Sequence, residues 1–186
     1  MEDHAIIALY WARQERALEE TDSKYGGYCR TIAYNILRNR EDSEECVNDT
    51  WLRAWNAMPP QKPGILSSFL GKITRNLSLD RYKHSHAGKR GSGQLPLALD
   101  ELGDCIPAAQ DVEELVELKE LSRILDRFLR ALPEKEACVF LRRYWFVDST
   151  KEIALRYQMA EGSVKSTLYR TRQKLREHLE KAGVAL

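Results

Sequence analysis

Apolar residues recur along this chain at intervals of three and four, the period of a helix buried on one side. Residues 4–20 carry Ile6, Ile7, Leu9, Tyr10, Ala17 and Leu18 on one flank and predict a first helix. Gly26-Gly27 predicts a break, and Ile32, Ala33, Ile36 and Leu37 predict a second helix over 28–37. Asp42 and Glu45 stand where a capping pair for a third helix would stand. Cys46, Val47, Thr50, Trp51, Ala54, Trp55 and Met58 form its continuous stripe, and Pro59-Pro60 ends it. After Pro63-Gly64, Ser67 or Ser68 caps a fourth helix with Phe69, Leu70, Ile73 and Leu77 facing inward. From 88 to 110 glycine, proline and acidic residues sustain no period and read as a linker. The helical period resumes over 111–131, from Val112 to Leu129. Pro133 opens a further helix holding Ala137, Cys138, Phe140, Leu141, Tyr144 and Trp145. No stretch alternates as a strand would. The expected fold is all-α: two small helical domains, 1–87 and 111–186, joined by a flexible linker over 88–110.

The last third holds the most specific pattern. Ser149 is a good N-cap, with Glu152 three residues on as a capping box requires. A short helix through Ile153, Ala154 and Tyr157 should follow, then a turn over Gln158–Glu161. A second helix starts near Gly162 or Ser163 and buries Val164, Leu168, Thr171 and Leu175. Its other face carries Lys165, Ser166, Tyr169, Arg170, Arg172, Gln173, Lys174 and Arg176. Two helices joined by a tight turn, the second rich in long cations, are the plan of a helix-turn-helix. Such a helix buries one stripe and offers the other to the major groove, where Arg and Lys meet guanine edges and phosphates.

Net charge is only +1, which by itself argues against a nucleic-acid partner. Its distribution reverses that argument. Between Lys72 and Arg90 six cations face one carboxylate, and between Thr150 and Leu186 eight face four. Between Gln94 and Glu120 one lysine faces eight carboxylates. Two basic blocks around an acidic one suit two nucleic-acid surfaces and a connector that keeps away from phosphate. The tail from Tyr82 to Gly91 mixes an aromatic, cations and glycine, a composition suited to unstacked bases and their phosphates.

Cys29, Cys46, Cys105 and Cys138 have no metal-ligand spacing, and three of them fall on helical faces as small apolar residues. No signal peptide or membrane span is apparent, so a reduced, cytoplasmic protein without membrane insertion is expected. His84 and His86 with Cys105 would lack a fourth metal ligand at any usual spacing. No nucleophile elbow, phosphate loop or zinc signature is present, so neither metal, cofactor nor catalytic site is expected.

Three strings, taken in order, resemble the bacterial RNA polymerase sigma factors of the sigma-70 family, specifically the extracytoplasmic-function subgroup. Glu44 through Trp55 is similar to that family's polymerase-binding helix. Phe69 through Asn76, followed by Asp80 and Lys83, is similar to its promoter-melting helix. Leu132-Pro133-Glu134, Glu152-Ile153-Ala154 and Gly162 through Ser166 with Arg170 are similar to its upstream-element reader. The resemblance implies core polymerase and promoter DNA as partners. It implies that Asn48, Asp49, Leu52 and Arg53 meet the polymerase clamp. It implies that Lys72, Arg75, Asn76, Asp80, Arg81, Tyr82 and Lys83 hold the minus-ten element. It implies that Ser163, Lys165, Ser166, Tyr169, Arg170 and Lys174 read the minus-thirty-five element. Phe140, Tyr144 and Trp145 read as core positions; an anti-sigma factor is a further expected partner, and an aromatic exposed among these three, were there one, would be its docking point. Three departures stand out: Asn48-Asp49 where the family has Gln-Glu, Gln158 at the turn glycine, and Thr167 where an Arg is frequent. The rival is a stand-alone helix-turn-helix regulator, which has no need of the polar face around Asn48, Asp49 and Arg53 and binds DNA without polymerase.

Overall fold

The computed structural model describes residues 1–85, 94–103 and 114–184. Among these there are nine helices and no strand, as the period of the apolar positions predicts. The chain divides into two compact units, Met1–Gly91 and Ser92–Leu186.

The first unit holds α1 (Asp3–Trp11), α2 (Arg16–Leu37), α3 (Arg40–Ala57) and α4 (Leu66–Ser85). The single helix expected over 4–20 is two, because the chain turns at Arg13, whose φ is +53°. Arg13 donates to the Trp55 carbonyl at 2.7 Å and its guanidinium lies 5.3 Å from the Trp55 ring, so the turn is held by α3. Ile6, Ile7 and Tyr10 of α1 enter the core with Val47, Trp51, Ala54, Met58, Leu66 and Leu70. The Ile, Val, Leu and Met side chains among these each contribute about 1.5–3 kcal/mol on burial. Asp3 binds Lys24 at 2.7 Å and accepts the Tyr25 hydroxyl at 2.5 Å. It also accepts a backbone hydrogen bond from Leu66 at the start of α4, and these contacts hold its carboxyl below the usual range.

Gly26-Gly27 does not break the chain: α2 runs through both. A Cβ on Gly26 would stand 2.3 Å from Arg30 Nη1 and 2.6 Å from Asp22 Oδ1. The glycine therefore makes room for Arg30, which pairs with Asp22 (2.9 Å) and with Glu44 of α3 (3.0 Å). The cap of α3 is Asn39, whose side chain accepts from the Asp42 amide, rather than an Asp42–Glu45 pair. Pro59 and Pro60 follow the end of α3 as expected.

The inward stripe of α4 is Leu66, Leu70, Gly71, Thr74 and Ser78, while Phe69, Ile73 and Leu77 are only half-buried. Small and hydroxyl side chains are on the inside because α2 and α3 come close. A Cβ on Gly71 would meet the Tyr28 hydroxyl at 2.3 Å, and Thr50 and Thr74 hydroxyls lie 3.1 Å apart. These hydroxyls also bond to carbonyls one turn back in their own helices, Thr50 to Cys46, Thr74 to Leu70 and Ser78 to Thr74. That satisfaction is what makes a polar seam tolerable inside a core.

The second unit holds α5 (Gln94–Gly103), α6 (Glu114–Ala131), α7 (Glu134–Tyr144), α8 (Thr150–Arg156) and α9 (Glu161–Lys181). Helix α5 is a correction: it lies inside the stretch 88–110 read as an unstructured linker. Leu95 and Ala98 are buried, and Ala98 joins the core of Phe128, Val139, Phe140, Ile153, Leu168 and Leu175, with Leu102 packed against it. Leu95, Ala98 and Leu102 do keep helical spacing. A proline between them and the acidic surroundings hide that short period. Phe140 and Tyr144 are in the core as their reading predicts, Trp145 is half-buried, and none of the three is an exposed aromatic.

The capping box of α8 forms as its residues predict. The Glu152 amide donates to Ser149 Oγ at 3.2 Å and the Ser149 amide donates to Glu152 Oε2 at 2.6 Å. Gln158 itself takes the left-handed position where the family has glycine, with φ +50°. Val147 does the same between α7 and α8, at φ +59° and fully buried. For a β-branched residue that conformation is uncommon, and the buried side chain is what holds it there.

Candidate nucleic-acid interface

On α9 the buried stripe is Val164, Thr167, Leu168, Thr171, Leu175 and Leu179. A helix so anchored presents the opposite side to solvent. Ser163, Lys165, Ser166, Tyr169, Arg170 and Lys174 are all exposed there. Tyr169 is 58% exposed and sets a large ring in the middle of that side. Arg170 makes no ion pair or hydrogen bond with another described residue. Lys165 pairs with Glu161 at 2.8 Å, and Glu161 also accepts from the Thr150 hydroxyl at 2.9 Å, joining the starts of α8 and α9. These two partners hold the Glu161 carboxyl below its usual range.

Two cations of α9 are engaged at its flanks. Lys174 reaches Glu136 of α7 at 2.8 Å. Arg172, which the periodicity places on the open face, is half-buried and donates to the Tyr144 hydroxyl at 2.8 Å. Thr167 is buried, so the position where an Arg is frequent in the family does not extend outward here. A shallow groove of about 630 Å³ runs beside Pro133, Lys135, Ser163, Ser166 and Arg170, between the start of α7 and α9.

The exposed stripe of α4 consists of Lys72, Asn76, Asp80 and Lys83, spaced at four, four and three. Arg75 and Tyr82 lie half-buried along it, and burial lowers the Arg75 guanidinium pKa without discharging it. Arg81 does not join that face. It stands three residues after Ser78, on the inward stripe, and pairs with Glu45 (2.5 Å) and Asp42 (3.4 Å) of α3. Its position braces the end of α4 against α3. His86, Lys89 and Arg90 of the basic tail, like Cys105, lie outside the described residues, and among those described no group of three or more His, Cys, Asp or Glu side chains could hold a metal ion.

On α3 the four residues Asn48, Asp49, Leu52 and Arg53 share one side. Asn48, Leu52 and Arg53 are exposed and Asp49 is half-buried. Leu52 is 59% exposed and borders a groove of about 550 Å³ that also involves Asn48, Trp51, Trp55, Glu15 and Leu18. Leu52 thus places an apolar side chain at the edge of a shallow groove, next to Asn48. This groove, contributed jointly by α2 and α3, is what sequence reasoning missed; Leu18 on its own looks like an ordinary core position.

A buried ionic cluster was not expected at all. Arg143 is 2% exposed, and Glu101 of α5 accepts from its Nε (3.1 Å) and Nη2 (2.7 Å). Arg143 Nη1 donates to the Asp148 carbonyl at 3.1 Å. Tyr144 donates to Glu101 Oε2 at 2.9 Å, and Arg172 lies 3.5 Å from the same oxygen. Burial raises the Glu101 pKa, but Arg143, Tyr144 and Arg172 outweigh it and hold the carboxyl below its usual range.

Two family models match the chain, the one described as Sigma-70 region 2 over residues 23–87 and the one described as Sigma-70, region 4 over residues 122–175. The first covers α3 and α4, and the second ends at Leu175 in α9. The chain is 31% identical over 152 residues to the ECF RNA polymerase sigma factor SigE of Mycolicibacterium smegmatis, a match covering 81% of this chain and 56% of that relative. It is 38% identical over 163 residues to the RNA polymerase sigma-E factor of Streptomyces avermitilis, covering 82% of this chain and 83% of the relative. No helix among the described residues is long and apolar enough to cross a membrane.

Proposed function

The chain belongs to the sigma-70 family, in its extracytoplasmic-function group, and on that footing we propose that it joins core RNA polymerase and directs it to particular promoters. In this reading 1–87 is the part that holds polymerase and the minus-ten element, and 111–186, extended forward to include α5, is the part that reads the minus-thirty-five element. Asn48, Asp49, Leu52 and Arg53 meet the polymerase clamp, with the neighbouring groove taking its apolar side chains. Asn48 and Asp49 are one methylene shorter than the family's pair, which shortens their reach and re-aims the contact. Lys72, Arg75, Asn76, Asp80, Tyr82 and Lys83 face the minus-ten element, and Arg81 fixes the helix that presents them. Ser163, Lys165, Ser166, Tyr169 and Arg170 enter the major groove, with Lys174 at the rim. The protein performs no reaction of its own; polymerase supplies the chemistry, and the site of action is the cytoplasm.

The observation that carries this reading is the pairing, in one chain, of two separately packed helical units that each expose a cationic helix face. A stand-alone regulator would account for α9 and leave the exposed Leu52 beside its groove without a purpose. The test is in vitro transcription with purified core polymerase on a genomic library. Specific initiation that depends on the added chain is the expected result, and its absence refutes the proposal. Replacing Asp49 and Arg53 together should abolish capture of core polymerase while helicity by circular dichroism stays intact. Arg170→Ala should weaken upstream-element binding by about 1–3 kcal/mol in a footprinting assay.

A further inference from the structure

We infer that Glu101 of α5 is a positioning residue for the DNA-reading helix, so that the segment ahead of the helix-turn-helix helps determine what that helix reads. The inference rests on the proposed reading of promoter DNA by α9.

Arg172 lies seven residues after Lys165 and three after Tyr169, so it borders the same exposed side of α9. Its guanidinium does not extend outward. It donates to the Tyr144 hydroxyl at 2.8 Å and lies 3.5 Å from Glu101 Oε2. Tyr144 in turn donates a hydrogen bond to Glu101 at 2.9 Å, so the hydroxyl accepts from α9 and donates to α5. Glu101 is thus the terminal acceptor of a relay that ties one flank of α9. The other flank is tied by Lys174 to Glu136 at 2.8 Å. Tyr169, Ser166 and Arg170 lie between these two flanks. The buried stripe sets which side of α9 faces outward, ties on its two flanks trim the rotation about the axis, and rotation decides which side chains face base edges.

Glu101 is hard to replace in this role. Arg143 is 2% exposed and directs two N–H groups at the carboxylate. Without the carboxylate, the buried Arg143 guanidinium would lose the ion pair that Glu101 supplies, and the Tyr144 hydroxyl the acceptor at 2.9 Å. The cluster would have to rearrange, and Arg172 is the member with room to leave, since it is less buried than Arg143. A released Arg172 would add a mobile cation beside the reading face. General attraction to phosphate would rise as base discrimination falls.

The test uses the full chain bound to core polymerase and promoter duplexes recovered from the transcription library, each paired with versions carrying one changed base in the upstream element. Readers of this kind discriminate roughly tenfold or more against a single mismatch. Glu101→Gln keeps the shape and removes the charge; Arg172→Gln leaves the Glu101–Arg143 pair in place and removes only the tie. Both are expected to lower discrimination at the upstream element several-fold while discrimination at the minus-ten element is unchanged. The double variant should be no worse than Glu101→Gln alone. A merely structural role would lower the melting temperature of Glu101→Gln and leave the discrimination ratio untouched, and that result in both single variants overturns the inference. If Glu101→Gln does not fold, Arg172→Gln decides the matter alone. Absence of initiation by the unaltered chain removes the functional reading and this inference together, a result distinct from unchanged discrimination.

Discussion

Gly26 and Gly27 are neighbours in α2 with opposite reasons to exist. Nothing lies within 4 Å of a Cβ built on Gly27, whereas one on Gly26 meets Arg30 and Asp22. Glycine in a helix interior costs about 0.5–1 kcal/mol relative to alanine. Gly27→Ala should therefore stabilise the protein by about that amount in urea unfolding, seen as a higher midpoint at unchanged slope. Gly26→Ala should show no such gain, because the added methyl displaces the Arg30–Asp22 pair. The pair of glycines in sequence looks only like a helix breaker. That Asp22, Arg30 and Glu44 need the space beside one of them depends on how α3 lies against α2, which local spacing does not encode. Gln158 shows the reverse case. The missing turn glycine is evident from the chain alone, and Gln158 takes the left-handed conformation regardless. Gln158→Gly should relieve strain and raise the unfolding free energy by about 0.5–1 kcal/mol.

Among the elements, α8 and α9 were legible because the signals that make them are local. Ser149 and Glu152 are three residues apart, and the stripe from Val164 to Leu175 repeats within one helix. Ser149→Ala removes a hydroxyl that accepts from the Glu152 amide, and should cost about 1 kcal/mol in a thermal or urea unfolding measurement. The faces of α4 were half legible. Leu66 and Leu70 are buried, but with them go the small Gly71, Thr74 and Ser78, while the larger Phe69, Ile73 and Leu77 are only half-buried. Size predicts burial only where the gap between helices is wide, and here it is narrow. The same stripe carries Arg81 inward, which is why a cation expected at DNA is found bound to Asp42 and Glu45. Helix α5 was not legible as part of a domain, since its stabilising partners, Arg143, Tyr144 and the core around Phe140, lie some forty residues away.

For the whole molecule, the balance of +1 conceals charges that are already paired within each unit, and pairing makes stability respond to pH. Glu101 is held below its ordinary pKa when folded. Its contribution is therefore complete at neutral pH and is lost as pH falls through that lowered value. The difference in unfolding free energy between the unaltered chain and Glu101→Gln should hold steady near neutrality and shrink once pH drops below the ordinary carboxylate range. A difference that stays constant into acid would show that the carboxylate is not ionised in the cluster.

Anyone dissecting the protein to handle its C-terminal half separately has a choice of where to cut. A fragment begun at 111, where the long helical period resumes, would discard Glu101 and take from Arg143 the carboxylate it is paired with; one begun ahead of Gln94 would keep them together.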